Sequence, residues 1–261
     1  MLLVLAACAA LPLAAQDWAK ARLEQSPRHR EMVTINHDGR ALSAFVAYPE
    51  ASTKRPVVLV IHEIFGLSDW AQEVTDELAA AGYVAIAPDL LSGAGPNGGG
   101  TESLGGQTAV GRAIRDLKKE QIESDLNAAA DWALKQPASS RKLYVVGFCW
   151  GGGQSFAYAT QRKGLSAAFV FYGSAPAADD LARITAPVFG FYAGNDARIS
   201  ATVPATRASM EKLHKPYQAV IYDGAGHGFM RAGEQPDATP ANAQARDAAW
   251  LKIKSVMSGS R

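Results

Sequence analysis

Six short apolar runs, each set apart from the next by a stretch of helical character, restrict the folds open to this chain. Pro56-Val57-Val58-Leu59-Val60-Ile61 is apolar at every position, and similar runs recur at Tyr83 to Ala87, Lys142 to Val146, Ala167 to Tyr172, Pro187 to Tyr192 and Ala219 to Tyr222. A strand without a polar face must be covered on both sides, which is the situation of a parallel strand between two layers of helix. The amphipathic segment Trp70 to Ala81 after the first run supplies such a helix. The pattern predicts an α/β fold, a mostly parallel central sheet flanked by helices on both faces. Ligands of open sheets bind at the carboxyl ends of the strands, so the residues just after each run are the place to look for chemistry.

Upstream, Met32 to Ile35 and Ala41 to Tyr48 read as antiparallel strands joined by the turn Asn36-His37-Asp38-Gly39, an edge hairpin. Between Ser92 and Gly106 lies a glycine-rich stretch. No Gly-Lys-Ser/Thr follows it, so it reads as a mobile loop over the site or a flexible connection and not as a phosphate cradle. With 261 residues, 48% hydrophobic and 20% charged, the chain suits one larger α/β domain. Its net charge of +1 offers no basic excess with which to track nucleic acid.

The start, MLLVLAACAALPLAAQDWAK, has an apolar stretch too short to span a bilayer comfortably, then small residues, then charge. It reads as a secretory signal peptide over residues 1–16, with one domain over 17–261 and a periplasmic or secreted location. No Lys or Arg precedes the apolar run, as a start codon placed too far downstream would explain. Leu5-Ala6-Ala7-Cys8 also resembles a lipoprotein box, but the residues after Cys8 stay apolar through Ala15, so cleavage near Ala15 or Gln16 fits better. Either way Cys149 is the one ordinary thiol of the mature chain, and an intramolecular disulfide is excluded.

That thiol sits in Gly147-Phe148-Cys149-Trp150-Gly151-Gly152, at the end of an apolar run. The pattern G-x-nucleophile-x-G marks a sharp strand-to-helix turn that holds the nucleophile in the open, here cysteine where serine is commoner. The helix that follows favours a thiolate at its N-terminus. A nucleophile in this setting requires an acid and then a histidine further along the chain. Asp196, closing Gly194-Asn195-Asp196, and His227, in Gly226-His227-Gly228-Phe229, occur in that order, each after a different strand. Taken singly, Asp196 also reads as a turn residue or helix cap and His227 as a surface histidine. His62 follows a buried strand and reads as a core or loop histidine.

Together with His62-Glu63-Ile64-Phe65-Gly66-Leu67 and Ala87-Pro88-Asp89-Leu90-Leu91, these motifs make the chain resemble the dienelactone hydrolase family of the α/β-hydrolase fold, from about Val33 to the last helix. The resemblance implies a triad of Cys149, Asp196 and His227 and an oxyanion hole from the backbone N–H groups of Ile64 and Trp150. It also implies a catalytic role for Glu63, which contacts the resting thiol and takes its proton when substrate arrives, and substrate contacts from Arg231 and Phe65. The type enzymes hold a substrate carboxylate with two arginines. Here only Arg231 falls in register, since the glycine-rich insertion displaces Arg112 and Arg115.

The expected activity is hydrolysis of a small ester or lactone through an acyl-thioester. Alternatives are a thioesterase or acyl transferase on the same triad, or a non-catalytic binding protein. No cofactor is expected, and no His or Cys pair has metal-ligand spacing. A monomer without a stable membrane span, acting on a small molecule, completes the reading.

Overall fold

Helix α1 (Asp17–Gln25) leads into the hairpin of β1 (Arg30–His37) and β2 (Arg40–Ala47). Asp38 and Gly39 both take positive φ, 47° and 73°, as a two-residue turn between twisted antiparallel strands requires. The structure, a computed structural model, describes residues 16–259; the expected cleavage region up to Ala15 and Cys8 lie outside the described residues.

The chain then alternates: β3 (Arg55–Ile61), α2 (Asp69–Ala80), β4 (Val84–Pro88), α3 (Gln107–Asp116), α4 (Lys119–Leu134), β5 (Ser139–Phe148), α5 (Trp150–Gln161), β6 (Leu165–Phe171), α6 (Ala178–Leu181), β7 (Val188–Ala193), α7 (Ala197–Ser200), α8 (Val203–Lys212), β8 (Tyr217–Tyr222), α9 (Phe229–Ala232) and α10 (Pro240–Gly259). The strands form one sheet in the order β1-β2-β4-β3-β5-β6-β7-β8. Strands β3 to β8 run parallel, while β2 pairs antiparallel with both β1 and β4. The hairpin thus forms one edge, as its sequence predicts.

The period of two along each strand divides the core between the two faces of the sheet. Val58 and Val60 join a cluster containing Trp70, Tyr144, Phe169, Phe171 and Ile253, under α1, α2 and α10. Val57, Leu59 and Ile61 join a second one with Leu126, Val145, Phe156 and Val170, under α4 and α5. On the first face aromatic rings step across the parallel strands: Phe148 lies 4.9 Å from Phe171, and Phe171 lies 4.6 Å from Phe191.

The glycine-rich stretch is a structured strap, not the mobile loop expected from composition. It forms short 3₁₀ turns at Pro96–Gly98 and Thr101–Leu104 before α3. The buried carboxylate of Asp89, just past β4, accepts hydrogen bonds from the Leu91 N–H (3.1 Å), the Thr101 N–H (2.7 Å) and the Thr101 hydroxyl (2.6 Å). The Thr101 oxygen accepts in turn from the Leu67 N–H at 3.0 Å. A carboxylate buried at a strand end requires donors, and Gly100 lets the strap approach because a Cβ there would overlap Asp89. Asp89→Ala should lower the unfolding free energy by about 2–3 kcal/mol, the scale of lost charge-assisted bonds and stranded donors. Urea denaturation checks this; a loss below about 0.5 kcal/mol would mean the strap holds without Asp89.

Candidate active site

At the end of β5 the chain turns so tightly that Cys149 adopts φ 56° and ψ −118° before α5 begins at Trp150. A Cβ on Gly147 would overlap the Gly151 carbonyl, and one on Gly151 would overlap the carbonyls of Ile61 and His62, so both positions require glycine. The Cys149 N–H donates to the Phe171 carbonyl of β6 at 3.1 Å, which ties the turn to the next strand.

The sequence places Asp196 and His227 after β7 and β8, and the fold brings both to this turn. His227 Nδ1 donates to Asp196 Oδ2 at 2.5 Å, while Nε2 lies 3.1 Å from Cys149 Sγ. Asp196 occupies the N-cap position of α7, yet its side chain makes no capping bond and is directed to the imidazole instead. The hydrogen bond to the Cys149 sulfur, joined by the one to Asp196, outweighs partial burial and raises the His227 pKa to about 9. The Tyr172 ring packs edge-on against His227 with centroids 5.0 Å apart.

The loop after β3 forms the opposite wall. Ile64 packs with Leu91, Val110, Ile114 and Trp150, and the buried His62 ring stacks on Trp150 at 5.7 Å. His62 Nδ1 bonds the Glu63 carbonyl at 2.8 Å, and burial lowers its pKa, so it is a neutral prop for the turn. As the first residue of α5, Trp150 has an N–H without an intrahelical acceptor. None of the hydrogen bonds among the described residues engages the N–H of Ile64 or Trp150.

Glu63 and Arg231 differ from their expected places. The resting thiol is hydrogen-bonded to His227, whereas the buried Glu63 carboxylate accepts from Arg231 Nε at 2.8 Å and from the Tyr172 hydroxyl at 3.5 Å. A buried carboxylate is better matched by a guanidinium than by a neutral thiol, which accounts for the choice. Arg231 lies 5.1 Å over the Phe65 ring, so the two residues expected to contact substrate are together, but the arginine already has a counter-ion. Tyr172 is the neighbour that sequence reasoning missed; its position directly after β6 was the available signal. Burial, then the Glu63 charge, holds its phenol well above the ordinary range.

Among the described residues, Glu73, Glu77 and Glu234 are the carboxylates close enough to share a cation, with oxygens within 4.8 Å of one another. They lie apart from the thiol and already have partners: Arg22 reaches Glu234 at 2.6 Å and Arg246 reaches Glu77 at 2.6 Å. Burial, with the charges of Glu234 and Glu77, raises the Glu73 pKa to about 9, so a proton supplies further neutralisation. This cluster joins α1, α2 and the α9–α10 segment. No helix of the described residues is long and apolar enough to cross a membrane.

The dienelactone hydrolase family model matches residues 42–260. The chain belongs to the dienelactone hydrolase family. A protein of Yersinia pestis provisionally named a carboxymethylenebutenolidase is 31% identical over 213 residues, covering 77% of this chain and 79% of that protein. One of Escherichia coli K12 with the same provisional name is 30% identical over 224 residues, 81% of each. The crystal structure of a provisionally named dienelactone hydrolase from Klebsiella pneumoniae superposes with a TM-score of 0.77 at 26% identity, covering 88% of this chain and 98% of that one. This dienelactone hydrolase family member has the α/β-hydrolase fold and is a hydrolase of the carboxylic ester and lactone class.

Because the folded-state pKa of His227 lies above its ordinary value of about 6.5, its proton stabilises the fold fully below about pH 6.5, and this contribution is lost as pH rises through about 9. The melting-temperature advantage of the parent over His227→Gln should therefore shrink between pH 6.5 and 9. Thermal scans across that range check it; a constant or widening gap would contradict the imidazolium's placement between thiol and carboxylate.

Proposed function

We propose that the chain hydrolyses a small ester or lactone by nucleophilic catalysis at Cys149. The supporting observation is the line from Asp196 through His227 to Cys149, with separations of 2.5 and 3.1 Å, at a turn that presents the thiol beside the free first N–H of a helix. The proton of the Cys149–His227 hydrogen bond rides on the imidazole as sulfur attacks the carbonyl carbon, and the carbonyl oxygen becomes an oxyanion held by the N–H groups of Ile64 and Trp150. The tetrahedral intermediate collapses, the C–O bond to the alcohol breaks, and His227 returns the proton to the leaving oxygen. Water then attacks the thioester with His227 as base, releasing the acid and restoring the thiol. Asp196 holds the imidazole in the tautomer and orientation that both halves require. Glu63 is assigned the holding of Arg231 beside Phe65.

Cys149→Ala should reduce turnover of 4-nitrophenyl acetate at least a thousandfold, about 4 kcal/mol in barrier, while leaving the circular dichroism melt within a few degrees of the parent. Mass spectrometry of the quenched parent should show the acyl group on the peptide containing Cys149. Activity within about tenfold of the parent, or an acyl group elsewhere, would assign the nucleophile to another residue.

We further infer that the protein is exported, with residues 1–16 removed. The supports are the apolar start and the lone thiol of the mature chain, followed directly by a helix packed into the domain through Ala19 and Leu23. Expressed with its leader in a Gram-negative host, it should appear in the periplasm with an N-terminus at or next to Asp17 by intact-mass measurement. Full-length protein confined to the cytoplasm would overturn this, and lipid on Cys8 would replace it with an anchored form.

A further inference from the structure

Beside the loop after β3 lies a cleft of about 760 Å³ that the reaction described above does not use. Phe65 and Leu67 line it from the loop that also carries Glu63 and Ile64, and Val110 of α3 adds a third apolar side chain. The strap supplies one wall through Gly100, Thr101 and Glu102, and α1 and the start of α2 the other through Lys20, Asp69 and Gln72. Met32 of the hairpin also lines it and is 54% exposed, a large apolar side chain left without cover. A volume of this size suits a ligand of drug-like dimensions and exceeds what a single small ring fills.

The polar groups of the cleft select among occupants. Asp69 and Glu102 face the single cation Lys20, and the Asp89 carboxylate beneath them is occupied by the strap. Burial raises the Asp69 pKa, and the neighbouring Asp17 and Glu102 charges add to that effect against Lys20, so the mouth is crowded with acid. Arg231, over the Phe65 ring, has its charge matched by Glu63. An anionic end group would meet like charge at the mouth and no free cation at Phe65.

We propose that this cleft binds the chain of an extended ester, an apolar tail ending in an uncharged or cationic group, while the ester carbonyl lies at Cys149. The inference rests on the hydrolase reading and adds a substrate class to it. It also gives the strap a role: by locking onto Asp89, the insertion builds a wall that the site would otherwise lack. Phe65 links the two regions, since Arg231 lies over its ring at 5.1 Å and it also lines the cleft, on the loop that carries Glu63 and Ile64.

The test compares 4-nitrophenyl acetate, 4-nitrophenyl octanoate and the carboxylate-ended 4-nitrophenyl suberate on the parent, Gln107→Trp and Gln72→Trp, substitutions that narrow the cleft from opposite walls. The parent should show kcat/KM at least tenfold higher for octanoate than for acetate, and at least tenfold lower for suberate than for octanoate. At least one tryptophan variant should lower the octanoate-to-acetate ratio fivefold or more. Calorimetric titration with octyltrimethylammonium, which needs no turnover, should show binding to the parent that both variants weaken. Equal ratios in all three proteins, or suberate as good a substrate as octanoate, would overturn the proposal even with rapid turnover of acetate. Binding of octyltrimethylammonium without turnover of any ester would instead retain the cleft and overturn the hydrolase reading.

Discussion

The structure depends on the turn at Cys149. A non-glycine residue at φ 56° and ψ −118° is strained by about 1–3 kcal/mol, and such a conformation persists only where its surroundings over-determine it. Here they do so from two sides. The Cys149 N–H is held by Phe171 of β6, and the main chain of Gly151 presses against the carbonyls of Ile61 and His62 at the end of β3. The strand carrying the turn lies between β3 and β6 in the sheet, flanked by parallel neighbours on both sides. The strain is thus supported by the central ladder and by the aromatic rings of Phe148 and Phe171 beneath it.

Around that rigid point, opposite charges are arranged so that none is left buried alone. Asp196 is answered by His227, and Glu63 by Arg231 with help from Tyr172. The two pairs meet at Tyr172, whose ring packs on the imidazole and whose hydroxyl reaches the carboxylate. Removing one member of either pair would leave its partner's charge insufficiently compensated at low dielectric, so the site is expected to respond as a unit and not residue by residue. Electrostatics and packing also reinforce one another at His62, which stays neutral when buried and can therefore stack on Trp150.

The insertion between β4 and α3 illustrates a limit of composition as a guide. Glycines concentrated in one segment suggest freedom, yet the same absence of side chains allows the segment to lie close against Asp89 and Thr101 to plug the gap beside Leu67. The contact joins residues well separated in the chain, and a buried aspartate just past a strand gives no local sign of its partner. Glu234 and Arg246 carry no local sign of their partners either: α1, α2 and the α9–α10 segment bring them against Arg22, Glu73 and Glu77.

Local rules were sufficient for the strands, the Asp38-Gly39 turn and the elbow, because each follows from steric or burial requirements within a few residues: apolar runs of strand length, positive φ, no room for a Cβ. The order of cysteine, aspartate and histidine, each after a different strand, was equally legible, since a parallel sheet places all strand ends on one edge. Tertiary structure alone decided which partner each charge takes. Whether Glu63 meets the thiol or Arg231, and whether the strap closes on Asp89, depends on competition among groups distant in sequence. Low dielectric and fixed geometry decide that competition, and neither exists until the sheet has formed.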